Sequence, residues 1–372
     1  MSSRRVVFAG QLASFCVLLH SSLRGFTAGT VPLLRRRRTS RGCVSPAAWV
    51  LLGFLWLVPS RESLAKVTIK QINYRGWLDA VAIDNGHAVA VVVPSIGRVL
   101  QFGLKGDQGV FWENAGLSGQ LADVRLPTWA SKDWVNFGGD KAWPSPEADW
   151  GLLTGRKGWR PPPAFDGMAY QAQIKGSAVL LRSEVDPFYG LSVQRRVELD
   201  SSKAELSITT TFTREQGEPL AVGVWVVTQL RDPAGLFAAR SGRSIFAESY
   251  KVLGQGLPPS LTISNHLLQL TRATNQAYKI GLDADRLLWV GAKQTLLIES
   301  PRHPGAAYPD QGCNAEIYTN PDPLSYIELE TLGPVVLLKT GKTITHRNVY
   351  TLRPRRYPSA PAEVEARAIL RP

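Results

Sequence analysis

Residues Leu191 to Leu230 read LSVQRRVELDSSKAELSITTTFTREQGEPLAVGVWVVTQL. Three runs, Leu191–Leu199, Ala204–Thr213 and Leu220–Leu230, are rich in β-branched residues and are cut by the stretches DSSK and REQGEP. Such runs predict strands joined by short connections, because Asp, Ser, Gly and Pro supply the backbone conformations that a reversal needs. Alternation is imperfect in the first run: Arg195 keeps step with Val193 and Val197, while Gln194, Arg196 and Glu198 fall on the other side. Similar runs begin at Val67–Tyr74, His87–Val93 and Arg98–Leu104 and continue to Ala315–Thr319, Tyr326–Leu332 and Thr343–Leu352. More than a dozen such strands without crossover helices predict an all-β fold of antiparallel strands, a large sandwich or barrel. No linker or charge block divides residues 66–353, which read as one domain. The Pro-rich residues 354–372 read as a loosely held tail, within which only Ala362–Leu370 has helical spacing.

Residues 1–65 differ from the rest. Nine arginines against one acid, Glu62, supply +8 of the formal +13 and leave +5 on residues 66–372. The high basicity therefore belongs to the leader, and with no basic-aromatic recognition motif a nucleic-acid partner is not expected. Ala47–Pro59 is an apolar core preceded by Arg35–Arg38 and Arg41 and followed by Ser63-Leu64-Ala65. That order outlines a secretory signal with cleavage after Ala65, and hence a periplasmic or secreted protein. The core is shorter than the roughly 20 residues of a membrane-crossing helix, so no stable membrane span is expected in the mature chain. Beyond the leader Cys313 is the one cysteine, which excludes an internal disulfide and a cysteine-based zinc site.

Candidate chemistry gathers in two places. Trp134–Gly151, WVNFGGDKAWPSPEADWG, has neither strand nor helix periodicity, and its glycines and prolines predict a loop. Trp129, Trp134, Trp143, Trp150 and Trp159 fall within 31 residues, with Asn136, Asp140, Lys141, Glu147 and Asp149 among them. Indole faces beside acids and amides suit a pyranose, whose C–H face stacks while its hydroxyls are hydrogen-bonded. The other reading is an aromatic plug closing the sandwich edge. In Tyr326–Gly333, YIELETLG, strand alternation puts Tyr326, Glu328 and Glu330 on one face, about 6.5–7 Å between neighbours. Carboxyls so placed raise each other's pKa and suit acid–base work; a solvated outer face is the plainer alternative. Glu316, on a preceding strand, is a third acid for the same sheet. His303, in a loop, is the one histidine with the setting of a proton carrier. No metal is expected, since the histidines lack ligand spacing, and no nucleotide or dinucleotide fingerprint calls for a cofactor.

Two segments together, Asn136–Gly151 with Gly158–Tyr170 (GWRPPPAFDGMAY) and Tyr308–Ile344 (YPDQGCNAEIYTNPDPLSYIELETLGPVVLLKTGKTI), resemble a bacterial family of domains of unknown function. That family lies within the galactose mutarotase-like (aldose 1-epimerase-like) superfamily, and the resemblance spans most of residues 66–352. It implies a β-supersandwich with a carbohydrate-facing cleft on its concave sheet. In the superfamily's aldose epimerases a late-strand glutamate takes the anomeric proton and a histidine protonates the ring oxygen. Glu328 or Glu330 resembles that glutamate. The segment resembling the acid's strand, Leu220–Leu230, offers Trp225, Thr228 and Gln229 but no histidine, and Asn136–Asp140 has none either. Lys141 or Asp140 is the available substitute.

The first expectation is therefore an exported carbohydrate-binding protein. Trp143, Trp150 or Trp159 would stack on the sugar, and Asn136, Asp140, Lys141 and Glu147 would bind its hydroxyls, with Trp225, Gln229 and Glu316 nearby. The alternatives are a sugar epimerase or other carbohydrate-active enzyme using Glu328 or Glu330 as base, and an envelope interaction scaffold.

Overall fold

A computed structural model describes residues 67–121, 134–155, 159–240, 244–264 and 267–371. The expected signal and its cleavage point, together with Trp129, lie outside the described residues. Two antiparallel sheets make up the fold of the described residues. The first runs β1 (Thr68–Tyr74), β2 (Trp77–Asp84), β3 (Ala88–Val93), β4 (Arg98–Leu104), β5 (Asp140–Ser145), β10 (Leu220–Arg231), β19 (Tyr326–Leu332), β18 (Ala315–Thr319), β15 (Tyr278–Leu282) and β12 (Tyr250–Val252), with β20 (Val336–Leu338) paired to the start of β10. The second runs β13 (Thr262–Ile263), β14 (Leu267–Leu270), β11 (Gly235–Ala239), β16 (Arg286–Val290), β17 (Gln294–Glu299), β21 (Thr343–Pro354), β9 (Glu205–Arg214), β8 (Leu191–Leu199), β7 (Ala178–Arg182) and β6 (Gln171–Lys175).

The Leu191–Leu230 stretch forms β8, β9 and β10, and the chain changes sheets between the last two. Strict alternation along β9 buries Leu206, Ile208 and Phe212 between the layers, where Val193 and Val197 of β8 meet Val224 and Val226 of β10. Each large apolar side chain withdrawn from water there contributes about 1.5–3 kcal/mol. The arginine that spoiled the alternation of β8 also points inward. Arg195 is buried and paired across the layers with the Asp140 carboxylate; its Nη1 donates to the Asp140 carbonyl at 2.9 Å.

Two sequence expectations need correction. Trp134–Gly151 is not a loop throughout, because Asp140–Ser145 is β5, buried along its whole length between β4 and β10. Layers cover both of its faces, so it lacks the polar–apolar alternation that marks a half-exposed strand. After it, Glu147–Asp149 makes a 3-10 turn and Trp150–Thr154 a short helix, α1. Nor is the tail loose: α2 (Ala362–Ile369) buries Ala366, and Leu370 follows it into a cluster with Phe237, Leu267 and Leu288. Glu365 fastens the approach by accepting the Arg356 and Tyr357 amides. Among the described residues no helix is long and apolar enough to cross a membrane.

Candidate functional site

Side-chain parity builds the site. On β5, β10 and β19, Asp140, Thr228 and Thr331 hydrogen-bond to Tyr350 and Asn348 of the second sheet. Their strand neighbours therefore face away from it. This outer face carries Lys141 and Trp143, Trp225 and Gln229, Tyr326, Glu328 and Glu330, Glu316 and Tyr318, and Lys279. Strand register aligns them in rows. Lys141, Val227, Glu330 and Glu316 lie side by side across β5, β10, β19 and β18, and Gln229, Glu328, Tyr318 and Lys279 across β10, β19, β18 and β15. Neighbouring strands lie about 4.8 Å apart, so residues far apart in sequence become contacts.

Above these rows lies a cleft of about 650 Å³ whose lining includes Trp159, Trp225, Glu147, Tyr318, Glu328 and Glu330. The indoles of Trp134, Trp150, Trp159 and Trp225 surround Trp143 edge-on, with ring centroids 5.2–5.9 Å from it. Asp166 accepts from Trp134 Nε1 at 2.7 Å and Trp143 Nε1 at 3.3 Å and pairs with Arg98, which fixes both rings. This packing corrects the expected stacking surface. Trp143 (1% exposed), Trp150 (3%) and Trp225 (2%) are spent on the floor, whereas Trp159 (44%) keeps a free face. Trp150 packs beneath, its Nε1 donating to the Pro144 carbonyl at 2.8 Å.

Two lysines organise the acids. Lys279 Nζ lies 2.6 Å from Glu316 Oε2, 3.0 Å from Glu330 Oε2 and 4.5 Å from the Trp225 ring centroid, and Trp225 Nε1 donates to Glu330 Oε2 at 2.7 Å. Burial alone would depress the Lys279 ammonium, but Glu316 and Glu330 hold its pKa well above the ordinary lysine value. Burial lifts the Glu316 carboxyl well above the usual range even against Lys279. Lys141 Nζ lies 3.8 Å from Glu328 Oε1 and 4.7 Å from the Trp143 ring centroid, and Gln229 Nε2 donates to Glu328 Oε1 at 2.8 Å. Burial pushes Glu328 up to about 7 against the pull of Lys141, and pushes Lys141 down to about 8 against the pull of Glu328. Burial also raises the Glu147 carboxyl, with Glu330 and Asp310 adding to the effect and Lys279 opposing it. Lys141 Nζ, Gln229 Oε1 and Glu330 Oε1 are buried without a hydrogen-bond partner among the described residues.

The structure thus brings Trp143, Glu147, Trp159, Trp225, Glu328 and Glu330 to one cleft. Lys141, Gln229 and Glu316 bear on it through their contacts with these residues. Asp140 does not belong there: its carboxylate points between the sheets, bound by Arg195, by Thr228 Oγ1 at 2.6 Å and by Tyr350 OH at 2.6 Å. Asn136 is buried before β5 and its Oδ1 accepts from the Gly138 amide at 3.3 Å; it does not line the cleft itself but touches Tyr326, which does. His303 lies elsewhere, with His346 in a separate pocket of about 230 Å³, and among the described residues no histidine lines the cleft. Lys279, Tyr318 and Asn320 line it but were not anticipated. The alternation of Tyr278, Ile280 and Leu282 around Lys279 is the signal that could have marked β15. Among the described residues no cluster of His, Cys, Asp and Glu is arranged to hold a metal ion.

No protein of curated function matches the chain. Solved structures similar to it include a galactose mutarotase-like protein from Lactobacillus casei ATCC 334, with a TM-score of 0.51 and 10% identity over 74% of this chain and 100% of that one. Another is the galactose 1-epimerase from Lactobacillus acidophilus NCFM, with a TM-score of 0.45 and 11% identity over 78% of this chain and 99% of that one. The first likeness is one of fold, in agreement with the two antiparallel sheets. A family match over residues 78–353 takes in every strand that lines the cleft, and the chain belongs to that family, the domain of unknown function DUF4380, with a galactose mutarotase-like fold.

Proposed function

We propose that the outer-face cleft binds a carbohydrate of one or two rings. One observation carries this: a half-exposed indole, Trp159, shares a cleft of about 650 Å³ with the carboxylates of Glu147, Glu328 and Glu330. Ligand sites of this size are mostly apolar with a few fixed polar groups, and a pyranose offers both an apolar face and hydroxyls. The fold supports the reading, since a structure described as a galactose mutarotase-like protein shares it. The basic flank, apolar core and small-residue end of residues 35–65 support export to the periplasm or beyond. Titration against a panel of aldoses and short oligosaccharides tests the binding reading, and silence across the panel overturns it.

A second reading, catalysis at the anomeric carbon, is favoured by the pKa of Glu328 near 7 and of Lys141 near 8. A base titrating close to neutrality is the efficient one. In this reading Glu328 takes the proton of the anomeric hydroxyl, C1 becomes a carbonyl and the C1–O bond to the ring oxygen breaks. The ring oxygen receives a proton, for which the Lys141 ammonium is the available donor without a histidine. Rotation about C1–C2 and reversal of both transfers give the other anomer. Magnetisation exchange between anomers measures this directly. Glu328→Gln is expected to lower the rate by about 10²–10⁴-fold; an unchanged rate removes Glu328 from the chemistry.

A further inference from the structure

The outer face carries an unusual balance of charge. Five carboxylates, those of Glu147, Asp310, Glu316, Glu328 and Glu330, are gathered around two lysines. Lys141 serves Glu328, while Lys279 is shared between Glu316 and Glu330. Glu147 and Asp310 have no cation within ion-pair reach among the described residues. Glu330 adds an independent sign. Its side chain is 1% exposed, it lines the cleft, and Oε1 has no hydrogen-bond partner among the described residues while Oε2 is held by Lys279 and Trp225 Nε1. A buried carboxylate oxygen left without a donor is destabilising, because it has given up water and gained no hydrogen bond. Donors from a ligand would satisfy it. Glu147, in the same lining, is a second acceptor at the wall.

A neutral sugar supplies hydroxyl donors but leaves the excess of negative charge in place. An ammonium supplies donors and positive charge together, so it makes the charge-assisted hydrogen bonds that a hydroxyl can make and also offsets the negative charge of the acids. Resting on the carbohydrate reading, we infer that the ligand is an amino sugar whose free ammonium is bound by Glu147 and by the unpartnered oxygen of Glu330. The sugar's hydroxyls then meet Glu328 and its C–H face meets Trp159. N-acetylation removes both the charge and two of the three donors, so the N-acetyl sugar binds more weakly. In the free protein, burial raises the pKa values of Glu147, Asp310 and Glu316, and the neighbouring carboxylates add to the rise. A bound ammonium opposes that rise, so binding is coupled to proton release from these groups.

The test is calorimetric titration of the protein with glucosamine and galactosamine, their N-acetyl forms, the neutral parent sugars and cyclohexylamine. Each titration is run in two buffers of different ionisation enthalpy. The expected result is binding of at least one amino sugar tenfold or more tighter than its acetylated and neutral counterparts, with net proton release. Glu147→Gln and Glu330→Gln each remove at least tenfold of that preference; two variants are used because one may not fold. Neutral sugars binding as well as amino sugars overturn the inference and leave the carbohydrate reading standing. Cyclohexylamine binding as tightly as the amino sugar overturns the carbohydrate reading. No binding by any ligand overturns both.

Discussion

Replacement of Asp140 by alanine separates a structural role from a ligand-binding one. Its carboxylate is fully buried between the sheets, where it accepts from Thr228 Oγ1 and Tyr350 OH at 2.6 Å each and pairs with Arg195, which is itself 1% exposed. Truncation leaves a guanidinium buried without its counter-charge, a change that costs about 3–5 kcal/mol. The Thr228 and Tyr350 hydroxyls also lose an acceptor, but they bond each other at 3.2 Å and recover part of it. A loss of about 4–6 kcal/mol follows, which for a domain of roughly 300 residues lowers the melting temperature by roughly 6–10 °C. Calorimetry or urea unfolding measures it. A double variant, Asp140→Leu with Arg195→Met, removes both charges and is expected to recover most of the loss. If Asp140→Ala melts within about 2 °C of the parent and loses its ligand, the carboxylate faces the cleft and the parity that places Lys141 and Trp143 there is wrong.

Three further outcomes follow from the same geometry. Trp159→Ala is expected to weaken sugar binding about tenfold at a stability cost below about 2 kcal/mol, whereas Trp143→Ala costs about 3–5 kcal/mol, and equal costs would contradict the division between wall and floor. Burial pushes His346 down to about 4, so it stays neutral in the fold while the unfolded chain takes a proton near pH 6.5. Its contribution is whole above pH 6.5 and is lost as pH falls toward 4, up to about 3 kcal/mol, and His346→Asn should flatten the melting temperature between pH 7 and 4.5. Gly281→Ala would put a Cβ 2.2 Å from Cys313 Sγ, costing about 1–3 kcal/mol, and Cys313→Ala in the same chain should restore part of it; an unchanged melting temperature refutes the contact.

The fold was readable because most strands have one face toward the core and one away from it. Alternation along Leu206, Ile208 and Phe212 announces β9 without reference to any partner. Period two also put Glu328 and Glu330 on one face, where the structure has them. That rule failed where both faces are covered. Asp140 and Lys141 are buried alike, so no contrast separates them, and the flanking glycines and prolines read as a loop. Tryptophan density marked the wall but not which ring stays free, because that depends on how five indoles pack together. Lys279 was missed for a different reason. Its partners Glu316 and Glu330 are joined to it by sheet register across β15, β18 and β19, and register is a property of the assembled sheet, not of any one segment.

Register also explains how a cleft with no histidine among the described residues holds groups that titrate near neutrality. An exposed lysine and an exposed glutamate ionise far from pH 7 on opposite sides. Side by side and well bonded, they would move further apart, since each stabilises the other's charge. Lys141 and Glu328 do neither: burial penalises both charges, yet Nζ stops 3.8 Å from Oε1 and has no hydrogen-bond partner to complete the pairing. The attraction is then too weak to offset burial, and the two pKa values converge on about 8 and about 7. Lys279 shows the contrary case on the same face, with contacts of 2.6 and 3.0 Å to two carboxylates and a pKa held high. The two lysines differ in contact and in exposure, Lys141 being 1% and Lys279 21% exposed. The Lys141–Glu328 pair is thus the one whose charges respond to pH near neutrality, while Lys279 keeps its charge.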